Sequence, residues 1–337
     1  MKSRDSKSIS YYFFVCISVL TLGLSLAGYL GRLNLYLEFV SGYKLQFLLL
    51  ALCSLIYFSL ARVKPWLIFS LLCVLLNLAE ILPWYFNQPQ VTNTNNYQSL
   101  KVFSYNVLWS NQNYDQAIAL INQEQPDIVV FQEAVIPWSK QLAVLKATYP
   151  YHIGAKKLEI EVYSKLPLTN TEIKLYGTYR GLVISDLKIS DRAAWTESNH
   201  EGLRVSNRQI KFIATHAYPQ LYYGHEGWQI RNEHLEKGIG EYVKNLEQSV
   251  IIAGDLNVSM WSPFYRSLIK QSGLLNARQG FGILPSQSGI APQFAILSAP
   301  IDHCLVSSDI QVEDFRLGRD IGSDHLPIIA NLLIPTK

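Results

Sequence analysis

The sequence predicts an α/β layered sandwich that is preceded by three transmembrane helices. The long uncharged apolar runs lie almost entirely in the first quarter of the chain. In the remainder, short continuous apolar runs such as DIVVF and SVIIAGD alternate with amphipathic stretches. This alternation is typical of strands buried on both faces and covered by helices. The composition of the whole chain, 49% hydrophobic and only 16% charged, therefore averages over a membrane part and a part that faces water.

Residues 11–30, 45–61 and 66–86 are the three predicted spans, each close to the length that crosses a bilayer as a helix. A cleaved signal peptide would explain the first run but not the other two. We therefore predict a transmembrane region over residues 1–88, a polar Asn-rich linker over 89–98, and a soluble domain over 99–337.

Basic residues in the short flanks predict the orientation of the spans. They precede the first span or separate the second from the third: Lys2, Arg4, Lys7, Arg62 and Lys64. The loop between the first two spans gives a mixed signal with Arg32, Glu38 and Lys44. We expect an integral membrane protein with a cytoplasmic N-terminus and an extracytoplasmic soluble domain. Glu80, near the outer end of the third span, can reach the interface and needs no chemical role.

The soluble part divides into strands, helices and one polar insertion. The apolar runs predict strands at 100–107, 127–132, 181–189, 210–215, 249–254, 301–306 and 326–334. Helical periodicity predicts helices near 114–123, 137–147 and 228–246. Residues 191–208 are polar and predict a loop insertion between two strands. Cys304 is the single cysteine after the spans, so no disulfide is expected within this domain.

Eight polar residues lie at or near the ends of the predicted strands, where loops above a rigid sheet often carry chemistry. They are Asn106, Glu133, His216, Asp255, Asn257, Asp302, Asp324 and His325. Carboxylate and amide oxygens suit Mg²⁺ or Mn²⁺, and imidazoles can move protons or bind phosphoryl oxygens. Each residue alone is a weak signal, since a polar strand end is commonly a turn. The complete set, in this order, indicates a metal-assisted phosphoryl site.

The motifs around these residues carry a family resemblance. N-V-L-W, Q-E, S-K-L-P-L, T-H, G-D-L-N, I-D-H and S-D-H-L-P occur in succession over residues 99–335. In this series the chain resembles the endonuclease/exonuclease/phosphatase superfamily of DNase I-like fold, which includes nucleases, sphingomyelinases and inositol-polyphosphate phosphatases. The resemblance implies a four-layer α/β/β/α sandwich and an enzyme that hydrolyses phosphoric esters with a divalent cation.

The resemblance also implies a role for each motif residue. Glu133 would be the principal ligand of Mg²⁺ or Mn²⁺, with Asn106 beside it and Asp324 contributing.

On the catalytic side, Asp255 would orient or deprotonate the attacking water, and Asn257 would hold that water and a phosphate oxygen. His325 would stabilise the transition-state charge or act as an acid or base, with Asp302 fixing its tautomer. His216 would bind the phosphate or protonate the leaving group. Which of Asp255 and His325 is the general base stays open.

Several other residues receive no catalytic role. Tyr179 and Arg180 lie where some family members place a phosphate contact, and we assign them no function. His303 is expected to point away from the site because side chains alternate along a strand. The remaining histidines are expected to be structural or at the surface: His152, His200, His225 and His234.

The substrate class depends on charge and tethering rather than on fold. Residues 97–337 hold 22 Lys or Arg and 23 Asp or Glu, so the basic surface expected of a nucleic-acid tracker is missing. Tethering close to the bilayer favours a membrane lipid or polyprenyl carrier as substrate. The architecture resembles bacterial membrane phosphatases of the superfamily, one of which acts on an undecaprenyl carrier, and this resemblance implies a bacterial inner or plasma membrane. The alternatives are an extracytoplasmic nuclease, with nucleic acid as partner, and an inactive receptor or scaffold. The oligomeric state is not predicted.

Overall fold

The computed structural model describes residues 8–86, 97–189, 208–219, 221–288 and 298–336. The predicted loop insertion at 191–207 and His200 lie outside these residues, as do residues 89–96 of the predicted linker. Tyr97 and Gln98, which the sequence placed in the linker, instead begin the first strand.

The N-terminal region consists of four helices. Their bounds are α1 Ile9–Ala27, α2 Leu35–Phe39, α3 Lys44–Leu60 and α4 Lys64–Ile81, with 3₁₀ turns at Gly28–Leu30, Val40–Tyr43 and Leu82–Tyr85. The combined stretches Ile9–Leu30, Leu35–Leu60 and Lys64–Tyr85 are long and apolar enough to cross a membrane. Small polar groups join these helices, since Ser25 donates to the Asn77 amide oxygen at 3.0 Å, as is common between membrane helices. Leu20, Ile56 and Leu72 are exposed on the outer faces.

The soluble part contains fourteen strands among the residues described. They are β1 Tyr97–Asn106, β2 Ile128–Gln132, β3 Tyr151–Ala155, β4 Ile160–Ser164, β5 Leu168–Tyr176, β6 Arg180–Ile189, β7 Arg208–His216, β8 Val250–Asp255, β9 Leu275–Asn276, β10 Gln287–Ser288, β11 Ser298–Ala299, β12 Asp302–Val306, β13 Gln311–Leu317 and β14 Ile328–Pro335. One sheet has the order β13-β14-β1-β2-β4-β3 and the other β5-β6-β7-β8-β12-β9, while β10 and β11 pair separately.

Helices cover the outer faces of both large sheets. They are α5 Tyr114–Glu124, α6 Ile136–Gln141 with a 3₁₀ extension to Ala147, α7 Gly224–Glu233 continued by a π-helix to Glu241, α8 Tyr242–Lys244 and α9 Pro263–Ser272. The start of α9 is capped because the Ser262 hydroxyl accepts the Phe264 N–H at 3.1 Å. Its end is set by Gly273, whose φ of +69° is the left-handed conformation of a helix C-cap.

Alternating side chains divide the strands between two cores. Val102 of β1 joins Phe212 and Ile251 of the second sheet in a core between the sheets. The next residue, Phe103, points to the opposite face, where it packs in the cluster that contains Leu120 of α5. The predicted four-layer α/β/β/α sandwich is thereby confirmed.

The N-terminal helices pack against this sandwich. Ala51 of α3 and Val74 and Ile81 of α4 belong to the same buried cluster as Leu268 of α9 and Ile252 of β8. This contact was not predicted, because the sequence indicated a domain tethered through a polar linker.

The strand directions bring the polar strand ends to one edge. Parallel pairing aligns Asn106 of β1 with Gln132 of β2, and His216 of β7 with Asp255 of β8. Strand β12 is antiparallel to β8 and begins at this edge, so that Asp302 pairs with Asp255. The ends of both sheets therefore supply one common site.

Candidate active site

Asp255 lies at the centre of the site, and its backbone explains the Gly-Asp-x-Asn motif. Gly254 has a φ of +151°, and a β-carbon at this position would collide with the Thr215 carbonyl oxygen of the neighbouring strand. Asn257 also lies in the left-handed region, with a φ of +50°, where asparagine is tolerated better than most residues. The resulting tight turn brings the Asn257 N–H to Asp255 Oδ1 at 2.7 Å.

The second oxygen of Asp255 joins the two sheets. Asp255 Oδ2 accepts the side-chain amides of Asn257 and Asn106, both at 3.1 Å. The Asn106 amide also donates to Glu133 Oε1 at 3.3 Å. Glu133 follows β2 with a φ of +57°, and its Oε2 accepts the Trp109 N–H at 3.2 Å. These contacts hold the carboxylates of Asp255 and Glu133 around the side-chain amide of Asn106.

His325 and Asp302 form a buried pair on the other side of Asp255. His325 Nδ1 lies 2.8 Å from Asp302 Oδ2, and the Ser286 hydroxyl donates to the same oxygen at 2.7 Å. His325 Nε2 faces Asp255 Oδ2 at 3.8 Å. The Asp302 carboxylate thus fixes the ring so that Nε2 points into the site.

His216 is fully buried, yet neither of its ring nitrogens has a hydrogen-bond partner among the described residues. Its Nε2 lies 3.6 Å from Asp255 Oδ2 and 3.9 Å from Glu133 Oε1. A buried imidazole without partners is costly, so its presence at this edge indicates a group that binds a ligand.

The charges in the site shift the pKa values in opposite directions. Burial, together with the charge of Asp302, raises the pKa of Asp255 to about 7. Burial by itself would lower the pKa of His325. The negative charges of Asp302 and Asp255 outweigh the effect of burial and raise the pKa of this ring to about 10. Burial would raise the pKa of Asp302, but the pairing with His325 outweighs burial and lowers the pKa of that carboxyl. For His216, burial and the nearby Arg180 hold the pKa well below its usual value.

Residues 103–325 match the Endonuclease/Exonuclease/phosphatase family. The chain belongs to this family. Its members are hydrolases, among them phosphoesterases and nucleases, and the predicted superfamily is thus confirmed. No curated protein matches the chain by sequence.

Solved structures agree with the fold of this family. A family protein from Bacteroides thetaiotaomicron has a TM-score of 0.54 at 17% identity, covering 71% of this chain and 98% of that one. D. rerio TDP2 complexed with a single-strand DNA product has a TM-score of 0.54 at 14% identity, covering 70% and 99%. Truncated Caenorhabditis elegans TDP2 has a TM-score of 0.53 at 17% identity, covering 69% and 97%.

The site's side chains fit the divalent cation expected of a family enzyme. The carboxylate of Glu133 and the side-chain amide of Asn106 lie within 3.3 Å of each other at the edge where the strand ends meet. Oxygen donors of this kind suit Mg²⁺ or Mn²⁺. To serve as a ligand, the Asn106 amide has to turn its oxygen toward the carboxylates. The carboxylate of Asp324 contacts the Ser323 hydroxyl at 3.4 Å and makes no hydrogen bond to Glu133 or Asn106.

A second group of possible ligands consists of Asp255, Asp302 and His325, whose donor atoms lie within 4.8 Å of one another. His325 Nδ1 and Asp302 Oδ2 are already hydrogen-bonded to each other at 2.8 Å. We therefore keep this group for proton handling rather than for metal binding.

The structure adds site residues that sequence reasoning did not assign. Arg180 is 5% exposed and lies 3.7 Å from Glu133 Oε1. Ser323 donates to the Asn106 carbonyl at 2.8 Å and accepts the His325 N–H at 3.1 Å. The S-D-H-L-P motif contained the signal for Ser323, whereas Ser286 lies in a stretch without any motif. His303 points away from the site, as expected, toward the Val258 carbonyl at 2.8 Å.

Proposed function

We propose that this protein is a membrane-anchored, divalent-cation-dependent phosphoesterase that hydrolyses a phosphate ester or diphosphate of a membrane lipid or polyprenyl carrier at the extracytoplasmic face. The observation that carries the proposal is a cleft of about 520 Å³ between the catalytic edge and the N-terminal helices. On its catalytic side the cleft is lined by Asn257, Val258, Ser259 and Gln287, and on its membrane side by Phe39, Ser41, Gly42 and Tyr43.

The position of the cleft favours a substrate that comes from the bilayer. The turn Val40–Tyr43 directly precedes helix α3, within the apolar stretch Leu35–Leu60 that is long enough to cross a membrane. It contacts the catalytic domain beside the site, where the hydroxyls of Ser41 and Ser259 lie 3.4 Å apart. A head group that leaves the membrane along this turn would enter the cleft that Asn257 lines. The near balance of 22 basic and 23 acidic residues in 97–337 gives little support to the nuclease alternative.

The residues of the site suggest a division of the chemistry. Asp255, with a pKa of about 7, can take a proton from the attacking water at neutral pH. His325 keeps its proton because two carboxylates flank it, and it can therefore donate to the phosphoryl or leaving oxygen. His216 stays neutral and can offer an N–H to a phosphate oxygen. A bound Mg²⁺ or Mn²⁺, held by Glu133 and Asn106, would neutralise non-bridging phosphate oxygens. Metal binding by Asp324, as by Glu133 and Asn106, is part of this proposal.

The test is a substrate panel with the full chain in detergent and Mg²⁺. Undecaprenyl diphosphate, sphingomyelin and plasmid DNA are compared by phosphate or nucleotide release. We expect turnover of a lipid substrate at least about tenfold above that of DNA. Preferential cleavage of DNA would establish the nuclease alternative, and no hydrolysis of any phosphoester would favour the inactive scaffold.

A pair of variants tests the cleft itself. Tyr222 lines the cleft and is 81% exposed. Tyr222→Ala should raise KM for the lipid but leave hydrolysis of soluble bis(p-nitrophenyl) phosphate unchanged. Tyr36→Ala is the matched control, because Tyr36 is 67% exposed beside the same turn but does not line the cleft. Equal effects of the two variants would contradict entry through this cleft.

A further inference from the structure

A buried ion pair joins the segment between the first two spans to the catalytic domain. Glu38 in α2 is 1% exposed and Arg231 in α7 is 0% exposed. Arg231 Nη2 donates to Glu38 Oε2. The same carboxylate accepts the Trp228 indole N–H and the Ser262 hydroxyl, each at 2.5 Å. Because a buried charge is stable only when it is paired and hydrogen-bonded, these four side chains form one unit.

The other end of the Arg231 guanidinium reaches the catalytic turn. Arg231 Nη1 donates to the Asn257 carbonyl oxygen at 2.9 Å, and the remaining N–H groups donate to Asn232. Asn257 adopts a positive φ, and its side chain bridges Asp255 and the Ala217 carbonyl. Among the described residues Glu38 is the one carboxylate that pairs with Arg231.

We propose that Glu38 is a positioning residue for the phosphoesterase reaction, since through Arg231 it fixes the left-handed turn that presents Asn257 to the substrate. The membrane segment is then part of the support of the active site and does more than tether the domain. This inference rests on the proposed function for the reaction that it affects.

Two other ion pairs connect the N-terminal helices to the domain without reaching a catalytic residue. Arg32 pairs with Glu236 at 2.6 Å, with side chains 50% and 24% exposed. Glu80 pairs with Arg266 at 2.6 Å, with side chains 17% and 44% exposed. Disrupting one of these pairs should weaken docking of the helices without affecting the turn. The Arg32–Glu236 pair therefore supplies the matched control.

The experiment compares full-length variants in detergent with Mg²⁺, using soluble bis(p-nitrophenyl) phosphate as the probe. The variants are Glu38→Gln, Arg231→Met, the double variant Glu38→Gln/Arg231→Met, and the control Glu236→Gln. Each is measured for kcat, KM, melting temperature and hydrogen–deuterium exchange of the peptide over residues 255–262. The double variant matters most, because it removes both buried charges and so avoids the unpaired charge that destabilises either single variant.

If Glu38 is a positioning residue, the melting temperature of the double variant should lie within a few degrees of that of the wild type. Its kcat should nevertheless fall about 10²-fold, the cost of a displacement of about 1 Å in a reacting group, with KM within about twofold. Exchange over 255–262 should rise, while Glu236→Gln changes neither kcat nor this exchange.

Recovery of both kcat and exchange in the double variant would show that the ion pair serves stability alone and would overturn the proposal. An equal loss in Glu236→Gln would overturn it as well, since docking in general would then be responsible. If the wild type hydrolyses no phosphodiester, the proposed function fails, and the exchange data still decide whether Glu38 fixes the turn.

Discussion

Replacing Asp255 with asparagine should stabilise the cation-free protein at neutral pH while abolishing its activity. Because burial and Asp302 raise the pKa of Asp255 from 3.8 to about 7, the folded state binds this proton more tightly than the unfolded state does. The carboxyl therefore favours folding below pH 4, and its contribution is lost as the pH rises to 7. At about 1.4 kcal/mol per pKa unit, ionisation above pH 7 destabilises the fold by about 4 kcal/mol.

The asparagine removes this penalty but weakens two hydrogen bonds, because its amide nitrogen faces the amides of Asn106 and Asn257. At about 1 kcal/mol each, the net gain is about 2 kcal/mol, or about 4–8 °C in melting temperature for a domain of this size. Melting curves in detergent with EDTA at pH 4 and pH 8 measure it. We expect the gain at pH 8 and none at pH 4.

An exposed carboxylate serves as the control for this prediction. Asp115 lies in the first turn of α5, and Asp115→Asn should change the melting temperature by no more than about 2 °C at either pH. A destabilised Asp255→Asn variant at pH 8, or the same difference at both pH values, would refute the reasoning.

Four further predictions concern the metal, the topology, the Asp302–His325 pair and the acid. EDTA should abolish hydrolysis, and Glu133→Gln should lower turnover about 10²- to 10⁴-fold without unfolding the protein; full activity of this variant would remove Glu133 as the ligand. Protease added to intact spheroplasts should digest residues 97–337, and protection of the domain would reverse the orientation. The losses of activity in Asp302→Ala and His325→Ala should not add in the double variant. Purely additive losses would show that the two residues act independently. Because the proton on His325 is held by carboxylates up to a pKa of about 10, Asp302→Asn should move the alkaline loss of kcat to lower pH, and an unmoved limb would exclude His325 as the acid.

The sequence predicted the strands that continuous apolar runs mark. Continuous apolar runs such as those of β2 and β8 are buried along their whole length, and periodicity alone indicates them. Strands β5 and β13 lie at the edges of the two sheets and were not predicted, because polar residues interrupt their apolar ones and no continuous apolar run marks them. Strand β4 was also missed, although it is buried along its whole length, because Glu161 interrupts its apolar residues.

The candidate site was predictable where a motif supplied it. Seven of the eight predicted residues are brought into mutual contact at one sheet edge: Asn106, Glu133, His216, Asp255, Asn257, Asp302 and His325. Their roles remain predictions. Arg180 was considered but given no role, and Ser286 was not considered, because contact with a motif residue depends on strand pairing and loop paths that no local pattern encodes.

The loop between the first two spans illustrates how contacts change the meaning of a charge pattern. From the sequence, Arg32, Glu38 and Lys44 gave an ambiguous orientation signal. In the structure Arg32 pairs with Glu236, Glu38 with Arg231, and Lys44 donates to the Ser25 carbonyl at 2.8 Å. Glu38 and Arg231 are 193 residues apart in the chain, so no local rule could match them. The loop and the catalytic domain must lie on the same side of the membrane to make these contacts, and three spans satisfy that requirement.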